Sequence, residues 1–164
     1  GRVIRRIKNR DGRLYFHRAL RYGTCVCSIR RDSQRRANIW FSTLFGGGTN
    51  YAHGEDTLFL RDAFLRGLRV YTSSFCLGTC AKDASTCFHG FDEKYFHDQG
   101  VLYRTAFGAA AAPLCLRFCL KRYRAYRREM TFFRALRAMY RGTRETPRDK
   151  RPQRGTGAQR VERA

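Results

Sequence analysis

Acidic residues are scarce in this chain of 164: Asp and Glu total 13 against 34 Lys and Arg, a formal charge of +21. Such a balance directs attention to polyanionic partners: nucleic acid, an anionic membrane face, or phosphate-bearing substrates. No CxxC pair occurs among the seven cysteines at 25, 27, 76, 80, 87, 115 and 119. With an odd count and no signal peptide at the start, a secreted disulfide framework is disfavoured. Reduced, half-buried thiols and a cytoplasmic location are expected instead, with a structural metal the lesser alternative. Long apolar runs are missing as well. The charge-free "TAFGAAAAPLCL" (Thr105–Leu116) has twelve residues between Arg104 and Arg117 and is interrupted by Pro113. A spanning helix needs about 20, so this run reads as a buried hinge between helices, or else as an interfacial segment. No internal repeat occurs, and no Ser–His–Asp or Cys–His pattern gives hydrolase chemistry any support.

With 43% hydrophobic residues the chain can still bury a core, and its length fits one domain. The charge sits at the ends. Residues 1–36 carry 12 basic and 2 acidic groups, residues 117–141 carry 9 and 1, and residues 142–164 carry 7 and 3. Residues 37–116 carry 6 and 7, so the middle is nearly neutral and is where chemistry is expected.

"TCVCSIRR" (Thr24–Arg31) alternates β-forming residues and predicts a strand over 24–30. "DSQRRANIWF" predicts a short helical turn capped by Asp32 or Ser33. From Glu55, apolar residues at Leu58, Phe59, Ala63, Leu65 and Leu68 recur at helical steps, with Gly67 as the expected C-cap. "LRVYTSSF" then predicts a strand near 69–73, and Asp92 or Glu93 the start of another helix. Residues 117–141 continue as a basic helical stretch, and the polar composition from Gly142 onward predicts a disordered tail.

The informative stretch is "GGGTNYAHGEDTLFL" (Gly46–Leu60). Adjacent glycines permit positive φ and close approach of a ligand or another backbone. Gly54 lets the chain turn just before Glu55 and Asp56, two carboxylates at a helix N-terminus, where negative charge is favoured. An ionised acid there can take a proton from a hydroxyl. The commonplace alternative is a glycine loop followed by capping acids.

"ANIWFSTLFGGGTNYAHGEDTLFLRDAFLRGLRVYTSSFCLGT" and the later "STCFHGFDEKYFHDQGVLYRTAF" resemble the C-terminal half of bacterial family 2 glycosyltransferases of the GT-A fold, across about residues 24–122. The resemblance implies an incomplete α/β GT-A unit followed by C-terminal helices. Residues 1–23 are then a basic lead-in, 24–91 the acceptor-side half, 92–141 a helical segment and 142–164 the basic tail. It implies Asp56 as catalytic base with Glu55 its neighbour, and Gly46, Gly47 and Gly48 flanking the acceptor pocket. His53, two residues before Glu55, either faces the same pocket or is a surface loop histidine.

The implied activity is inverting transfer from a nucleotide-sugar donor to a glycan or lipid-linked acceptor, as in cell-surface polysaccharide synthesis. A divalent metal, Mn or Mg, is implied, held mainly by a nucleotide-binding half with an Asp-x-Asp motif. That motif is not in this sequence, so the chain reads as a fragment, inactive alone. No metal ligand is assigned; His89 is a weak candidate. Cys87 stands where the subgroup tends to have Trp. The alternative is a basic nucleic-acid-binding module without enzymatic activity, since "RFCLKRYRAYRREMTFFRALRAMYR" interleaves Arg with Tyr and Phe. The same string suits a basic amphipathic helix on the inner face of a membrane, or a plain solvated helix.

Overall fold

Helix carries most of the fold in the computed structural model, which describes residues 11–20, 22–23, 26–75 and 90–147. The elements are β1 (Gly12–Arg13), α1 (Phe16–Ala19), α2 (Arg31–Ala37), α3 (Glu55–Leu65), β2 (Tyr71–Thr72), α4 (Glu93–Phe107), α5 (Ala111–Tyr126) and α6 (Phe132–Gly142). A 3-10 turn over Gly108–Ala110 joins α4 to α5. The sheet is one antiparallel pair, with Gly12 opposite Thr72 and Arg13 opposite Tyr71. The class is therefore mixed α and β at a coarse level, and no βαβ unit forms among the described residues.

The helix starts follow from local chemistry. Asp92 caps α4, its side chain accepting from the Tyr95 N–H at 2.6 Å. At the end of α3, Gly67 has φ +78 and its N–H donates to the Phe64 carbonyl, while the Leu68 N–H donates to Ala63. Those two bonds form a Schellman motif that satisfies the last carbonyls. Pro113 lies in the first turn of α5, where N–H groups have no intrahelical partner to lose.

Several expectations are corrected. The expected strand over 24–30 is not found in its described part: residues 26–30 contain no strand, Val26 and Ile29 are exposed, and Thr24 and Cys25 lie outside the described residues. β-propensity expresses packing against a neighbouring strand, and none pairs here. The short helix begins at Arg31, so Asp32 lies in its first turn and neither Asp32 nor Ser33 caps it. Leu65 is exposed, just beyond the buried stripe of α3. The break near Thr105–Leu116 is present, but Gly108, Ala109 and Ala110 are exposed rather than buried. The basic stretch 117–141 is two helices: the Tyr126 carbonyl takes the N–H groups of Glu129 and Met130, turning the chain into α6. The strand near 69–73 is the two-residue β2, and Val70 beside it is half-buried. Residues 1–10 of the lead-in, 76–89 of the acceptor-side half with His89 and Cys87, and 148–164 of the tail lie outside the described residues.

The main core joins α4, α5 and α6 through Phe96, Cys115, Cys119, Tyr126, Ala135 and Met139. The Tyr126 hydroxyl donates to the Cys119 carbonyl at 3.1 Å, which lets a phenol be buried without an orphan polar atom. Burial pushes the Cys115 thiol up to about 12 and raises that of Cys119 as well, so both pack as neutral groups. The α4–α6 crossing is closed by two glycines. A Cβ on Gly100 would collide with the Met139 carbonyl, and one on Gly142 with the His97 carbonyl. A second cluster of Phe45, Leu58, Val101 and Leu102 fastens α3 to α4, and a third packs Phe59 and Ala63 on Ile39.

Candidate active site

The glycine loop is closed at its base by backbone. The Tyr51 N–H donates to Leu44 at 3.0 Å and the Gly46 N–H to Tyr51 at 2.9 Å. Phe45 and Tyr51 stack across this closure, ring centroids 4.8 Å apart. The Thr49 hydroxyl lies 2.8 Å from the Leu44 carbonyl and 2.9 Å from that of Gly46, and donates to one of them at a time. Gly46 and Gly48 take φ +126 and +79, a region that favours glycine; Gly47 between them does not.

The loop and the acid pair come together. A Cβ on Gly46 would lie 3.3 Å from the Glu55 Cδ, so the bare backbone there accommodates the Glu55 side chain. Gly54 precedes α3 with φ +116, and a Cβ on it would lie 2.7 Å from Leu102 Cδ1. Glycine is needed at that point both for the turn and for contact with α4. Glu55 and Asp56 open α3, whose first-turn N–H groups give this end a partial positive charge. Asp56 Oδ1 is buried and has no hydrogen-bond partner among the described residues. Buried polar atoms are nearly always satisfied, so an orphan carboxylate oxygen is a conspicuous exception.

His53 joins this group from the preceding loop. Its Nε2 is 3.2 Å from Gln99 Oε1, and its ring stacks on Tyr95 at 5.0 Å. With an amide oxygen as acceptor, Nε2 carries the proton of the neutral ring. Burial lowers the His53 pKa, opposed by the Gln99 bond and by the nearby Asp98 and Glu55 carboxylates. It is a half-buried residue held by α4, so the surface-loop alternative does not describe it.

Four supporting residues were not picked out from the sequence: Lys94, Asp98, Gln99 and Glu145. Asp98, 1% exposed, accepts from the Ala52 N–H at 3.0 Å and from Lys94 Nζ at 2.7 Å. Lys94 also donates to the Asn50 carbonyl. Glu145, past α6, accepts from the Tyr51 hydroxyl at 2.9 Å and lies 3.0 Å from His97 Nε2. Burial, then the bond to Glu145, raises the Tyr51 phenol to about 12. The one local cue was the Lys94–Asp98 spacing of four on one helix face.

No group of three His, Cys, Asp or Glu side chains among the described residues could hold a metal ion. Asp56 offers a single unpartnered oxygen. Neither a protein family, a curated protein nor a solved structure matches this chain.

Proposed function

We propose that these residues form the acceptor side of an inverting, GT-A-type glycosyltransferase acting at the cytoplasmic face of a membrane, with Asp56 as the base. The reading is supported above all by one Asp56 oxygen: a buried Oδ1 without a hydrogen-bond partner, on a half-buried side chain at the start of α3 and beside a glycine loop. A capping acid would spend that oxygen on a backbone N–H. Asp56 Oδ1 is free instead to accept the proton of an acceptor hydroxyl as the hydroxyl oxygen attacks the sugar's anomeric carbon and the nucleoside diphosphate departs.

Gly48 leaves the loop without a side chain where an acceptor would approach, since a Cβ there would meet nothing within 4 Å, while the space beside Gly46 is taken by Glu55. Glu55, packed on Gly46, positions the loop. His53, kept neutral by burial, is suited to hydrogen-bond rather than to carry charge. In this reading donor binding belongs to a nucleotide-binding half joined to these residues.

Thermal denaturation of the 164-residue chain with a nucleoside diphosphate and manganese tests the division of labour. No shift in the midpoint is expected. Tight binding, seen as a shift that saturates with ligand, would contradict it.

A further inference from the structure

One face of α5 is apolar and open to solvent. Leu116, Leu120 and Tyr123, spaced by four and three residues, are 39%, 61% and 43% exposed. This stripe lies to one side of the buried Cys115 and Cys119. It continues onto α6 through rings: Tyr123 meets Phe132 edge-on at 6.2 Å, and Phe132 meets Phe133 at 5.6 Å. Phe133 is 81% exposed. Along the other flank of α5 run Arg117, Lys121 and Arg124, all exposed, and residues 111–128 contain no acid.

We propose that this face lies on an anionic lipid bilayer, α5 parallel to the surface, with Leu116, Leu120 and Phe133 entering the acyl boundary and the cations reaching the headgroups. An apolar stripe flanked by Lys and Arg is the pattern that holds interfacial helices, by buried apolar area together with attraction to anionic lipid. The long aliphatic parts of Arg and Lys suit the same boundary. Charge selects among occupants. A second copy would set one acid-free basic stripe against another. Nucleic acid would satisfy the cations, but it stacks on planar rings and has no use for two exposed leucines. No helix among the described residues is long and apolar enough to cross a membrane, so the contact is with the surface. The inference is independent of any role for Asp56.

Co-sedimentation of the 164-residue chain with three probes tests it: vesicles of equal phosphatidylglycerol and phosphatidylcholine, vesicles of phosphatidylcholine alone, and a duplex DNA. The comparison protein carries Leu120→Ser and Phe133→Ser, two exposed changes that keep the charge, with folding checked by circular dichroism. The expected result is binding to the anionic vesicles that weakens by about tenfold or more in the variant, with binding to DNA the same for both proteins. Equal vesicle binding by both proteins, no binding to anionic vesicles, or binding to DNA alone would overturn the proposal.

Discussion

The helices of residues 93–142 and the segments of residues 11–75 differ in how their cores are closed. In the first region Phe96, Cys115, Cys119, Tyr126 and Met139 form one fully buried cluster, with an apolar stripe left outside it. In the second, Ile39, Phe45, Leu58 and Phe59 are buried in two smaller clusters, Tyr15, Val26, Leu65, Tyr71 and Phe75 are exposed, and each strand is two residues long. Helices satisfy their backbone internally, so three of them close a core with local sequence alone. A strand needs a partner, and among the described residues Gly12–Arg13 and Tyr71–Thr72 form the one ladder, beside an isolated Phe45–Tyr51 bridge. The candidate site sits at the junction: its loop belongs to the open region, yet Asp98, Gln99 and Leu102 of α4 hold it in place.

A side chain added in each region should make the contrast sharp. Gly100→Val puts a side chain into the Met139 carbonyl and should part α4 from α6, costing about 3 kcal/mol or more. Gly12→Ala meets nothing within 4 Å and should change stability by less than about 0.5 kcal/mol. Urea denaturation followed by circular dichroism measures both. Comparable losses at the two positions would break the comparison.

A smaller effect concerns the junction. Burial lowers the folded His53 pKa, so the unfolded chain takes up this proton more readily. The contribution of a neutral His53 is therefore complete above the unfolded value of 6.5 and is lost as pH falls through the folded one. Wild type should lose stability below about 6.5 more steeply than His53→Gln, which cannot titrate there. Parallel pH curves for the two proteins would mean that the loop histidine is not held as described.

What could be read from sequence was local. Asp92 before an amphipathic run, Glu55 and Asp56 at a helix start, and Gly67 at its end each act within one or two turns, and each is found in place. The charge-free run with Gly108 and Pro113 does break the helix. The strand over 24–30 was not readable, because a ladder depends on a partner that residues 26–30 do not specify. The split of 117–141 was hidden by strong helix formers on both sides of Arg128, although Thr131 before Phe132 was an available start signal. At the site, the glycine turn and the acids that open α3 were legible from their spacing, whereas for His53 the sequence left open a pocket position or a surface loop. The supports were not legible: His53 and Gln99 are 46 residues apart, and Tyr51 and Glu145 are 94 apart. Separations of that size leave no local pattern.

The most direct measurement of the proposed function is turnover by Asp56→Asn in a protein that joins these residues to the nucleotide-binding half which that proposal requires. Asn keeps the size of the side chain and suits a helix start, so folding should survive. Donor affinity should stay unchanged, since the donor binds elsewhere. Turnover should fall by roughly 100-fold or more, because a positioned general base contributes about 10²–10⁴. Glu55→Gln should cost less, as its side chain packs on Gly46 and positions the loop. Undiminished turnover in a folded Asp56→Asn protein would contradict the assignment of the base.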